Sequence, residues 1–108
     1  MSLQNIGEEV HKTAVEKGFY DSPVDANFVL AKLALVTSEV SEVLEAYRKQ
    51  QGGAKIAEEM ADIFIRLADL WVAMQENDII PRGLDFDTAV RMKMDINSGR
   101  ERKHGNLI

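Results

Sequence analysis

The chain has 108 residues, 45% of them hydrophobic, which is enough for one small domain with a limited core and too little for two. A formal net charge of −5 excludes sequence-independent binding to nucleic-acid polymers, which needs a basic face to displace counterions from phosphate. Without Cys, a run of ~18 apolar residues or a signal-peptide pattern around Gln4, Glu8 and Glu9, the chain has no disulfide or thiolate chemistry, and a soluble cytoplasmic protein with no membrane partner is expected.

Two Pro and sparse Gly before the tail favour long helices. A first helix is expected over roughly Leu3 to Lys17, with Ile6, Val10 and Ala14 on one face, ending at Gly18. A connector, Phe19 to Ser22, follows. Ser22-Pro23-Val24-Asp25 offers a capping serine, Pro at the first helical position and an acid at the third. The second helix should therefore start there and reach about Lys49, with Leu30, Leu33, Thr37, Val40, Leu44 and Tyr47 as its apolar stripe. Gln50 to Gly53 forms a turn. The third helix spans roughly Ala54 to Glu76, and a loop with Pro81 and Gly83 leads to a fourth that starts at Asp85 or Asp87 and fades by Asn97 to Gly99. The expected class is all-α, an antiparallel four-helix bundle.

On the third helix Lys55, Glu59, Asp62, Arg66 and Asp69 form a narrow polar stripe at 100° per residue. Ile56, Met60, Ile63, Leu67, Leu70 and Met74 flank it on one side, and Ala61, Ile65, Ala68 and Val72 on the other. A helix apolar on both flanks is buried from two directions. A chain of this size can hardly cover both, so a homo-oligomer is expected, with this helix central.

The chemistry-bearing residues are two acidic pairs, Glu39-x-x-Glu42 and Glu59-x-x-Asp62. A spacing of three puts both acids of a pair on one helix face. The turn lies about midway between the pairs, so at ~1.5 Å rise per residue they reach nearly the same height in a helical hairpin. Four carboxylates would converge and repel one another unless a cation neutralised them. Oxygen-only ligands favour a hard ion, Mg²⁺ or Mn²⁺. The bland alternative is a ladder of salt bridges, with Lys55 and Arg66 as partners at helical spacing. Glu45, Glu58 and Asp69 read as ordinary surface or ladder charges, Asp69 being also placed to support the cluster from behind. Lys93, Asn97 and Arg100, at spacings of four and three, share one side of the last helix, with Lys103 and His104 beyond. Those donors suit a polyphosphate, Arg gripping it bidentately, and taken alone they suit a frayed basic terminus equally well. Taken alone, His11 reads as a half-buried helix residue, Phe19 and Tyr20 as hydrophobic plugs, and Trp71 and Met74 as core.

Together, Glu39-x-x-Glu42, Glu58-Glu59-Met60-Ala61-Asp62-Ile63, Lys93-x-x-x-Asn97-x-x-Arg100 leading into Lys103-His104-Gly105, and the early Ala14-Val15-Glu16-Lys17-Gly18-Phe19-Tyr20-Asp21 resemble the MazG family of all-α nucleoside triphosphate pyrophosphohydrolases, in the family's order over nearly the whole chain. The resemblance implies Mg²⁺-dependent cleavage of a nucleotide between the α and β phosphates, and assembly as dimers or dimers of dimers. It implies metal ligation by Glu39, Glu42, Glu59 and Asp62, with Glu42 or Glu59 holding the attacking water as base, and phosphate binding by Lys93, Asn97, Arg100, Lys103 and Lys55. His11, Lys17 and the Phe19/Tyr20 pair would line the sugar and base pocket. The chain departs from the pattern at Glu101-Arg102, where many relatives have Pro-Tyr. Phosphoribosyl-ATP pyrophosphohydrolase shares the acidic architecture and is the nearest rival; a non-enzymatic helical interaction module is the alternative of another class. A di-iron carboxylate protein fits poorly, because that chemistry draws on Glu-x-x-His and neither His11 nor His104 has a Glu three residues before it.

Overall fold

A computed structural model describes residues 1–100. Among them are four α-helices and no strand: α1 (Leu3–Glu16), α2 (Ala26–Arg48), α3 (Gly53–Glu76) and α4 (Phe86–Ser98). None is long and apolar enough to cross a membrane. The ends of each helix follow from local chemistry. Ser2 caps α1 by accepting from the Asn5 N–H. At the other end Gly18 takes φ +84°, and the Phe19 and Gly18 N–H groups donate to Ala14 and Val15, the paired reverse bonds of a Schellman stop. The same stop ends α2 through Gln50, at φ 53°, and Gln51, which donates to Ala46.

The start of α2 differs from the sequence expectation. Ser22 does not cap it; Asp25 does, accepting from the Phe28 N–H at 2.9 Å. Ser22, Pro23 and Val24 stay outside the helix because a carboxylate three residues ahead of a free N–H makes the better acceptor.

α3 is the central helix, packing against α1 on one side and α2 on the other, while α4 lies chiefly against α1. The α1–α3 contact is close because Gly7 faces Ala68 and Val72, with His11 and Ala14 completing the buried face. α4 is tied in at its start. Asp87 accepts from the Leu3 and Gln4 N–H groups at 2.8 and 3.1 Å, Gln4 accepts from the Phe86 N–H, and the Phe86 ring stacks on Trp71 with centroids 4.6 Å apart. Buried Gln75 holds the intervening loop by donating to the Leu84 carbonyl at 2.7 Å.

The buried apolar residues are few and mostly small: Ala14, Ala46, Ala68, Leu70, Val72 and Ala73. All four from α3 lie in its C-terminal half, where Ala68 and Val72 meet α1 at Gly7. The stripe expected to be the core side of α2 is instead its outer face, with Leu30 63% and Leu44 55% exposed and Leu33, Val40 and Tyr47 exposed as well. At 100° per residue, the side meeting α3 carries Lys32, Glu39, Val43 and Ala46, roughly 130° away. Small and acidic residues thus fill the contact between the two longest helices.

Candidate metal centre

That contact sets the site. Glu39 and Glu42 on α2 and Glu59 on α3 each place a carboxylate oxygen within 4.8 Å of the other two. Glu39 and Glu59 are buried and Glu42 is exposed. Each buried acid has one oxygen on a cation: Arg66 Nε donates to Glu39 Oε1 at 2.7 Å, and Lys55 Nζ is 2.9 Å from Glu59 Oε1. Their second oxygens, Glu39 Oε2 and Glu59 Oε2, are buried and have no hydrogen-bond partner among the described residues. Buried carboxylate oxygens are costly without a partner, and here two of them lie in the same three-acid cluster as Glu42.

The cluster's charges act on one another. The close carboxylate of Glu59 first, and then that of Glu39, pushes Glu42 above the usual carboxylate range. Glu59 itself is held below its ordinary value, first by Lys55 and then by its proximity to Glu42. Lys55 is correspondingly raised, chiefly by Glu59. Carboxylates held this close oppose one another's ionisation, and a divalent ion shared by them would relieve that opposition.

The residues fit such an ion: all three donors are carboxylate oxygens, two of them buried and unclaimed, which is the ligand chemistry of Mg²⁺ or Mn²⁺. Asp62 is not part of the three-acid group. Its shorter side chain, one turn beyond Glu59, lines an adjoining cavity of about 440 Å³ with Phe19, Lys32, Ile65, Arg66 and Asp69. Arg66 joins the two spaces, lining the cavity while holding Glu39.

The remaining residues singled out in the sequence are spread more widely. His11 is buried and lies outside that cavity; its Nδ1 meets Asp69 Oδ1 at 2.8 Å and its Nε2 meets Glu76 Oε2 at 3.0 Å. Tyr20 donates its hydroxyl to Asp69 Oδ2 at 2.8 Å, and burial followed by that carboxylate raises its pKa. Asp69, expected as a surface or ladder charge, is thus the part-buried bracket that fixes His11 and Tyr20. Lys17 is exposed beside a shallower cavity with Glu9 and Phe19. Lys93, Asn97 and Arg100 stand on or just beyond α4 and do not line the cavity next to the acids. The Asn97 Oδ1 is buried without a partner among the described residues. Lys103 and His104 lie outside the described residues.

Arg66 as the partner of Glu39, rather than of Asp62, was not apparent from intrahelical spacing. Lys32 was missed altogether, although it sits seven residues before Glu39 and therefore on the same face of α2. Comparisons with known protein families, with curated proteins and with solved structures find no match to this chain.

Proposed function

We propose that the protein is a Mg²⁺-dependent nucleoside triphosphate pyrophosphohydrolase that cleaves a nucleotide, deoxynucleotides included, between the α and β phosphates and works as a homo-oligomer. The observation that carries this reading is the pair of buried, unclaimed oxygens of Glu39 and Glu59 beside Glu42, opening through Arg66 onto a cavity within the roughly 300–1,000 Å³ of small-molecule sites. The MazG-like order of the motifs supplies the reaction class.

In this reading Glu39, Glu42 and Glu59 hold the ion, and Asp62 completes the acidic wall. When bound, the ion supplies neutralisation of phosphate charge and a more acidic water. Arg66 keeps Glu39 oriented. Lys55, now on Glu59, is long enough to turn toward phosphate oxygens once Glu59 has another partner. Glu42, the exposed acid of the three and raised above the usual carboxylate range chiefly by Glu59, is the member best placed to accept a proton from water. The adjoining cavity takes the nucleoside. Lys93, Asn97 and Arg100 keep their assignment to the phosphates through assembly, reaching a neighbouring copy's site from α4 and the residues just after it.

The test is pyrophosphate release from deoxynucleoside triphosphates with Mg²⁺. Monophosphate and pyrophosphate are expected, with turnover abolished in Glu59→Gln. Diphosphate and orthophosphate as primary products would overturn the regiochemistry. One observation favours a second reading: the Lys55–Glu59 and Arg66–Glu39 pairs already form a partial salt-bridge ladder, as in a non-enzymatic helical interaction module. Mg²⁺ separates the two. An ion-binding cluster gains thermal stability from Mg²⁺ in proportion to occupancy, whereas a ladder gains none.

A further inference from the structure

The cavity beside the acids has a wall group that the metal chemistry does not use. Lys32 places its ammonium 5.2 Å from the ring centroids of Tyr20 and Phe28 and 6.0 Å from that of Phe19. It is half-buried. Among the described residues no carboxylate lies within ion-pair distance of it. Ring faces offset an ammonium's charge but accept none of its three N–H bonds in the strong sense. Lys32 is therefore a fixed cation with unused donors at the wall of a largely apolar cavity.

Its position along the helix gives that donor a task. Away from Glu39 and Glu59, the cavity wall runs toward the start of α2 and the end of α3, because the two helices are antiparallel. Asp62 is three residues past Glu59, about 4.5 Å along the axis; Lys32 is seven before Glu39, about 10 Å. A nucleotide with phosphates at the acids and base in the cavity turns its sugar-distal edge to Lys32. Resting on the proposed pyrophosphohydrolase reading, we infer that Lys32 is the base-specificity residue and selects keto nucleobases, with a carbonyl at C4 of a pyrimidine or C6 of a purine, over those with an amino group there. A carbonyl oxygen accepts from the ammonium; an amino group turns N–H against N–H. The caging rings stop the charge from swinging to a ring nitrogen instead, and a site built to donate disfavours a base whose exocyclic group at that edge cannot accept.

The experiment compares kcat/KM for dUTP, dTTP and dGTP with dCTP and dATP, in wild type, Lys32→Met, Lys32→Gln and Lys32→Arg. Wild type should prefer the keto set by at least about tenfold, chiefly through KM. Lys32→Met keeps the stem among the rings but removes the donors, and should bring the ratio close to one. Lys32→Gln, which can both donate and accept, should do the same and serves if the Met variant folds poorly. Lys32→Arg should retain the preference, which a merely structural role would not require. Hydrolysis without a keto preference, or with one that survives both neutral variants, overturns the assignment of Lys32 and leaves the proposed function standing. Absence of pyrophosphate release from every nucleotide overturns the proposed function, and the inference with it.

Discussion

At the scale of single residues, the informative fact is that Glu39 and Glu59 are each half-satisfied. A surface ladder engages its charges where water completes the remaining bonds; here the remaining oxygens are buried. The cluster's electrostatics lead to a pH prediction. Glu42 is raised in the folded chain, chiefly by Glu59, so its stabilising share is full below the unfolded carboxylate pKa and is lost as pH rises through its own higher value. Glu59 is lowered, chiefly by Lys55, so its share is present above the unfolded value and fades as pH falls. Above about pH 5 only the Glu42 loss is still developing. The metal-free wild type should therefore lose thermal stability relative to Glu42→Gln as pH rises from about 5 to 8, and Mg²⁺ should restore more of it at the higher pH. Taking the difference between the two proteins isolates Glu42 from the rest of the chain. Parallel melting curves for the two proteins across that range, with and without Mg²⁺, would rule out a strained acidic cluster. The sequence disclosed the acids because helical spacing is local. It did not disclose that Asp62 falls outside the three-acid group or that Arg66 crosses to Glu39, because side-chain length and the rotation of α2 against α3 are tertiary properties.

Among the elements, α1 and α3 show how closely two helices approach when one supplies no side chain. A Cβ added to Gly7 would lie 2.6 Å from the Ala68 carbonyl oxygen and 3.0 Å from Val72 Cγ2. Two effects then oppose each other in Gly7→Ala. Helix propensity favours Ala by roughly 1 kcal/mol, and overpacking costs about 1–3 kcal/mol. A carbonyl oxygen on a packed helix cannot yield as a flexible side-chain end can, so the steric cost should win. Urea unfolding should show a lower midpoint at unchanged slope; a midpoint raised by the substitution would show that α1 and α3 stand further apart. Gly7 carried no special signal in the sequence, where Ile6, Val10 and Ala14 define the apolar face. The helices themselves were legible to within a few residues, because period and stop signals are local. Which side of α2 meets α3 was not, because α2 is apolar around much of its circumference. The stripe with the larger residues was the natural choice for the core. The structure places the smaller side inward, where Ala46 and Glu39 let α2 lie against the polar stripe of α3.

For the whole molecule that choice leaves apolar surface in need of cover. The outer face of α2 exposes Leu30, Leu33, Val40 and Leu44 over a length of about 21 Å, and Met60 and Phe64 are exposed on the N-terminal half of α3. Monomeric proteins rarely leave contiguous apolar patches larger than a few hundred Å² open to water. Two-sided burial of α3 had suggested assembly from the sequence, with Ala68 on the open flank. Ala68 is instead buried at 2% exposure against Gly7, so a charge there would break the α1 contact and say nothing of assembly. The informative substitution is Leu33→Glu with Leu44→Glu, both on the outer face of α2 and clear of Glu39 and of the cavity. Wild type should sediment as a dimer or larger species at micromolar concentration. The double variant should shift to monomer and lose thermal stability steeply, since among the described residues only six apolar ones are buried, four of them Ala. A wild-type monomer that unfolds cooperatively, with a midpoint independent of concentration, would show that the exposed leucines are tolerated in water and that the site works within one chain. Concentration-dependent melting of wild type that the two glutamates abolish would place the covering surface on α2, next to the helix face that carries the acids.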